Sequence, residues 1–271
     1  MPESPRTLRL RLSYDGSDFH GWQVQPGLAT VQQTVQDALA ALSGEPVHVH
    51  GSGRTDAGVH ALAQVAHCEV QRLRIPLTSL QRALNSHLPA SIRIDAVDEV
   101  AAGFDARRDA VSKLYRYRIW RDAVCPPFLR RYVYHHPYPL NETAMAAAAP
   151  RFAGAHDFRS FAATPAKGAP AVATTVRTVL RSELHRQGPE LVYEVEGRGF
   201  LHHMVRNLLG FLLDVGRGTR RGEEIPAVLA AANRRAAGPT APACGLYLVR
   251  VSYDGKFDGT FDGTNEARDG A

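Results

Sequence analysis

Twice along its 271 residues the chain runs through the same order of strand-like and helix-like apolar periods, and such a repeat restricts the fold more than composition does. In the first half the pattern predicts a strand over Leu8 to Tyr14 and a helix over Val31 to Leu42. A strand pair at Val47 to Val49 and Val65 to Cys68 follows, then a helix over Leu77 to Leu88 and a strand over Ile92 to Val97. The second half predicts a strand over Lys113 to Trp120, a helix over Asn141 to Phe152, and two long strands meeting around Gly188-Pro189. A helix over Leu201 to Val215 and a strand over Leu246 to Ser252 complete it. Both halves read β-α-β-β-α-β. The expectation is an α+β fold of two ferredoxin-like, RRM-like halves, joined into a mixed, largely antiparallel sheet with a central cleft. The domains are set at 1–107, 108–252 and a tail, 253–271, whose Gly, Asp and Thr content reads as flexible and acidic.

No apolar run nears the roughly 18 residues that a membrane-spanning helix needs, so a membrane role is not expected. The N-terminal Met1 to Arg6 lacks the basic-then-apolar layout of a signal peptide, and Cys68, Cys125 and Cys244 form no CxxC pair. That argues for a reducing cytoplasm and against zinc-knuckle or thioredoxin-like chemistry. The formal charge of +5 suits a polyanionic partner without identifying one. Lys113, Lys167 and Lys256 are the only lysines, so most positive charge is guanidinium, which binds phosphate bidentately and stacks on bases. A chain this rich in Ala, Arg, Gly and Pro also matches a GC-rich genome, and the arginine count alone supports RNA binding only weakly.

Between the predicted strands of the first half lies Gly51-Ser52-Gly53-Arg54-Thr55-Asp56-Ala57-Gly58-Val59-His60, which sets one carboxylate and one guanidinium on a glycine-rich turn. Such a turn either displays a reactive carboxylate or carries an ordinary solvated Arg–Asp pair. In the predicted helix from Leu201, an apolar face of Leu201, Val205, Leu208, Leu209 and Leu212 leaves His202 and Arg206 at i, i+4 on another. Tyr115 and Tyr117 share one strand face with Lys113, and periodicity does not separate them. Gly197-Arg198-Gly199 offers a second basic turn, and Ala162 to Ala173 reads as an exposed surface loop with an RNA-contacting role as the alternative.

The string Gly53-Arg54-Thr55-Asp56-Ala57-Gly58-Val59-His60-Ala61 resembles the catalytic motif of the tRNA pseudouridine synthase A (TruA) family. Tyr14-Asp15-Gly16, with Gly21-Trp22-Gln23, resembles the same family's N-terminal signature. Phe104 to Arg107, Leu114 to Tyr117, Gly154 to Phe161, Phe200 to Asn207 and Gly245 to Val249 match in the family's order, so the likeness extends to about Tyr253. The resemblance implies the pseudouridine synthase fold and an isomerase without cofactor or metal. It implies action on uridines at positions 38 to 40 in the anticodon stem-loop of tRNA, by base flipping, in a cytoplasmic homodimer. By resemblance Asp56 is the nucleophile, Arg206 its ion-pair partner and Arg54 the side chain that helps extrude the base. Tyr115 stacks on the target uracil and Leu246 lines its pocket.

Two rival readings are set against this one. A metal-dependent hydrolase built from Asp56, His60, His67, His202 and His203 lacks ligand spacing, apart from His48-x-His50 on a short strand. A non-catalytic tRNA-binding module of RRM-like domains would need exposed aromatic platforms, and Leu8, Leu10 and Leu12 of the first strand are poor ones.

Overall fold

The computed structural model describes residues 5–73, 75–164 and 174–254. The tail from 255 and most of the predicted loop at 162–173 lie outside these described residues. The chain divides into two compact units, one of residues 1–113 with 248–271 and the other of 114–247.

The first unit contains β1 (Arg6–Tyr14), α1 (Val31–Ser43), β2 (Val49–Gly51), β3 (His60–Val70), α2 (Leu77–His87) and β4 (Ile92–Val100). The strand β5 (Ala110–Trp120) leaves this unit after Lys113. Its strands follow the order β4-β1-β3, with β2 also on β3, and all these pairings are antiparallel. Leu8, Leu10 and Leu12 of β1 are fully buried, so this central strand is core rather than a stacking surface. A register shift between Leu12 and Tyr14 ends the regular pairing of β1 with β3 and re-aims the Tyr14 side chain. Helix α1 buries Val31, Val35, Ala38 and Leu39, and stops at Gly44, whose left-handed φ of 72° lets its N–H cap the Ala40 carbonyl. Its glutamines also serve the sheet: Gln32 donates to the Val49 carbonyl at 2.7 Å and Gln36 accepts from the Val49 N–H at 3.1 Å. Those bonds fix the short strand that leads into the Asp56 turn.

The second unit holds the rest of β5, β6 (Tyr134–His135), α3 (Glu142–Ala148), β7 (Gly154–Asp157), β8 (Val176–Gln187), β9 (Glu190–Gly197), α4 (Met204–Gly216) and α5 (Ile225–Ala230). The final strand, β10 (Leu246–Tyr253), returns to the first unit at Leu248. Strands run β5-β9-β8-β7, with β6 parallel to β5. The predicted order is present, but β6, β7 and α5 are additions that periodicity did not show, being two to six residues long. The expected helix over Asn141 to Phe152 is α3 followed by a 3₁₀ turn over Ala149–Phe152, because Pro150 has no N–H with which to continue the α-helical ladder. The helix expected from Leu201 begins only at Met204. His203 sits at φ 61° and ψ 1°, a left-handed conformation that no α-helix can contain.

Helix α4 is the packing axis of the second unit, with Leu208, Leu209, Phe211 and Leu212 fully buried. Its Gly210 is the contact point for the loop that follows α5. A β-carbon at that position would lie 1.8 Å from the Pro239 carbonyl oxygen, a backbone atom with no side-chain freedom to withdraw. Gly210→Ala is therefore expected to cost about 1–3 kcal/mol of stability by overpacking, a fall of several degrees in melting temperature. Gly199→Ala, whose new methyl would meet nothing nearer than 3.8 Å, should melt with the wild-type protein.

Both units bury tyrosines whose hydroxyls are used inside the fold. Burial pushes Tyr14 up to about 12, and raises Tyr117, Tyr193 and Tyr253 well above the usual phenol range. The unfolded chain ionises at about pH 10, before the folded one. Folded tyrosine thus holds more protons between these values, and stability present below pH 10 is lost as pH rises toward 12. The part of the tyrosinate absorbance that comes from these four residues should appear together with the loss of circular dichroism, above the earlier rise from exposed tyrosines such as Tyr138.

Candidate active site

The Asp56 turn is built by extending the β2–β3 ladder one residue past β2: the Ser52 N–H donates to the Val65 carbonyl at 2.7 Å. From there the chain leaves the sheet, and buried side chains take over from the ladder. The fully buried Gln64 amide donates to the Gly53 carbonyl at 2.9 Å, and its oxygen accepts from the Ser52 hydroxyl at 2.7 Å. The Tyr14 hydroxyl lies 2.9 Å from the Thr55 hydroxyl, again in the interior. Lys113, 8% exposed, donates from Nζ to the Ser52 carbonyl at 2.7 Å. Burial, with the Arg107 charge as a smaller contribution, lowers that ammonium to about 8.

The segment Tyr14 to Gln23 closes over the other side of the turn. Trp22 N–H donates to the Thr55 carbonyl at 3.0 Å, and Gly58 N–H donates to the Phe19 carbonyl at 3.4 Å. Two glycines allow this approach. A β-carbon on Gly16 would lie 2.0 Å from the Val59 carbonyl oxygen, and one on Gly21, itself at φ 87°, 2.6 Å from the Thr55 carbonyl oxygen. Asp56 then opens a tight turn in which the Val59 N–H reaches its carbonyl at 3.1 Å and Gly58 takes φ 76°. Two sequence signatures about forty residues apart are thus one physical object.

On this object Asp56 is half-buried and Arg54 exposed, whereas Ser52 and Thr55 point inward. Inward polar anchors thus alternate with outward charges, and the carboxylate stands on a backbone held by hydrogen bonds on both sides. His60, at the start of β3, accepts from the Gly16 N–H at 3.2 Å and lies 3.2 Å from the Asp15 carboxylate. His67 accepts from the Ala106 N–H at 3.0 Å. Both histidines are therefore occupied as scaffold groups.

In the second unit, Tyr115 and Tyr117, equivalent by periodicity, are told apart by their surroundings. Tyr117 is fully buried and its hydroxyl donates to the Pro242 carbonyl at 2.7 Å, so it is a structural tyrosine. Tyr115 meets Phe200 edge-on at 5.1 Å between ring centroids, a geometry that fixes the ring plane. Arg206 is half-buried on α4; its Nε donates to the Ala241 carbonyl at 2.8 Å, and its own carbonyl accepts from the Ala241 N–H at 3.1 Å. It is clamped along its shaft, unlike a freely solvated surface arginine. The clamp rests on Asn207, fully buried, which donates to the Phe161 carbonyl at 2.7 Å and accepts from Thr240 at 2.6 Å and Arg234 at 2.9 Å.

His202 does not share a helical face with Arg206, since it precedes the left-handed His203 and its carbonyl accepts from the Ala163 N–H at 2.8 Å. The two adjacent imidazoles lie 4.0 Å apart between centroids, rather than projecting from opposite sides of a helix. Leu246, 5% exposed, is held by a bond from its N–H to the Ala243 carbonyl at 2.9 Å. Sequence reasoning missed Gln64, Ser52 and Lys113. The signal was available in Gln64, a polar side chain within the run Ala61 to Ala66 that is otherwise apolar.

The sequence profile described as tRNA pseudouridine synthase matches residues 12–107 and 148–254. A tRNA pseudouridine synthase A of Solibacter usitatus is 51% identical over 249 residues, covering 92% of this chain and 100% of that one. The enzyme of the same name from Moorella thermoacetica is 47% identical, covering 91% and 99%. That of Limosilactobacillus fermentum is 45% identical, covering 91% and 95%. An archaeal box H/ACA Nop10–Cbf5 complex has a TM-score of 0.33 at 13% identity, covers 76% of this chain and 44% of that one, and carries no weight in the assignment. Identity near one half along almost the whole length, together with both signature segments built into one turn, places the chain in the tRNA pseudouridine synthase A family.

Proposed function

We propose that this protein converts uridine to pseudouridine at positions 38 to 40 of the tRNA anticodon stem-loop, with Asp56 as its nucleophile. The observation that carries the reading is the immobilised turn that presents Asp56. The reaction is an isomerisation: the bond from C1′ to N1 breaks, one from C1′ to C5 forms, a proton leaves C5, and N1 ends protonated. No electrons are gained or lost, so what the site must supply is access, a nucleophile and control of charge.

Access requires the nucleotide to leave the helical stack, which costs a few kcal/mol. Arg54, exposed on the turn, is positioned to occupy the vacated space, and Tyr115, with its ring plane set by Phe200, offers the stacking face. The Asp56 carboxylate adds covalently and splits one difficult step into two, for which it must be ionised. Arg206 supplies the countercharge in this reading, and its Nε anchor on Ala241 directs the guanidinium. Leu246 contributes apolar lining for the base. A homodimer and a cytoplasmic location complete the proposal.

Tritium release from uracil-5-tritiated tRNA tests the chemistry. Asp56→Asn should release none while binding tRNA as well as wild type; turnover in that variant would sink the nucleophile assignment. Arg54→Ala should slow single-turnover release with little change in the salt dependence of binding. A weaker affinity with a salt slope reduced by about one would make Arg54 a phosphate clamp instead.

A further inference from the structure

We infer that Lys113 is a positioning residue for the nucleophile turn, its ammonium holding the Ser52–Gly53 backbone in the register from which Arg54 and Asp56 are presented. The inference rests on the reading of Asp56 as nucleophile. Lys113 is the only lysine among the described residues, and it is enclosed, at 8% exposure, where lysine is rarely found. Its Nζ reaches the Ser52 carbonyl at 2.7 Å, and the same head group flanks Gly53, where an added β-carbon would stand 3.7 Å from Nζ. It therefore touches the turn at the residues where the β-ladder has ended and Arg54 and Asp56 have still to be placed.

The arrangement is costly for stability alone. An enclosed ammonium that donates to a neutral carbonyl bears a desolvation penalty, and an apolar side chain of similar length would avoid it. The lowered proton affinity of Lys113 reports that penalty, and the nearby Arg107 charge adds to it. The Ser52 carbonyl is reached from β5 by the terminal donor of this long side chain. Gln64 grips the Gly53 carbonyl and the Ser52 hydroxyl, and Lys113 takes the remaining acceptor at this corner. Without Lys113 the Ser52 carbonyl loses its partner and the Ser52–Gly53 peptide can shift within the bonds that remain, and a displacement of about 1 Å at a reacting group can lower rate on the order of 10²-fold.

The test compares Lys113→Met, which keeps length and loses the donor, with Lys113→Arg, which keeps a cationic donor. Single-turnover pseudouridine formation, tRNA affinity and melting temperature are measured for each, with Asp56→Asn alongside. The expected result for Lys113→Met is a rate lower on the order of 10²-fold, with tRNA affinity unchanged and a melting temperature lowered by no more than the few degrees that one unpaired carbonyl costs. Lys113→Arg should recover part of the rate. A wild-type rate in Lys113→Met overturns the inference, as does a rate that falls only in step with the folded fraction and is not recovered by arginine. Should Lys113→Met fail to fold, Lys113→Ala, which also lacks a donor, takes its place and the same outcomes decide. An active Asp56→Asn would remove the underlying reading, whereas an inactive one beside a fully active Lys113→Met removes this inference alone.

Discussion

The side-chain amide of Gln64 is the contact on which the geometry of the Asp56 turn depends. Buried on β3, it holds the Ser52 hydroxyl and the Gly53 carbonyl with one group. Each such bond contributes only about 0.5–1.5 kcal/mol net, but leaving any one of these buried groups unpaired costs about 1–3 kcal/mol. The web of Tyr14, Ser52, Thr55, Gln64 and Lys113 is therefore nearly all-or-none. In the proposed reading this web confines the turn, so that the carboxylate it bears is placed before substrate arrives.

The two glycines of the N-terminal signature make the same point through shape. Gly16 and Gly21 let a second backbone lie against the turn at distances no side chain would tolerate, and Trp22 closes over Gly51. The second unit uses comparable means for Arg206: a glycine on α4 admits the 238–241 loop, and buried Asn207 fastens it. In both units a small residue brings backbones together and a buried amide then satisfies what has been enclosed.

Much of this was legible in the sequence. Strong periodicity placed β1, α1, α2 and β5 to within a few residues and the turn between β8 and β9, and the glycine-rich string marked the turn that carries Asp56. What escaped has identifiable causes. The start of α4 was misplaced because the left-handed His203 leaves no mark on an apolar pattern that continues through Leu201. The short β6, β7 and α5 are fixed by neighbours rather than by their own periodicity. The anchors Ser52, Gln64 and Lys113 are polar residues at inward positions, and a binary pattern treats them as surface. Periodicity left Tyr115 and Tyr117 equivalent and only the family resemblance chose between them; the structure separates them through Pro242, more than a hundred residues away, which accepts from Tyr117.

Amide hydrogen exchange on the protein without tRNA tests most directly whether the turn is preformed. The N–H groups of Ser52 and Val59, and that of Trp22 on the Thr55 carbonyl, are all bonded within this assembly. They should exchange as slowly as the paired amides of β3. Exchange at the rate of an exposed loop, with protection gained only when tRNA is added, would mean that substrate builds the turn, and would contradict an Asp56 held in place beforehand by its own scaffold.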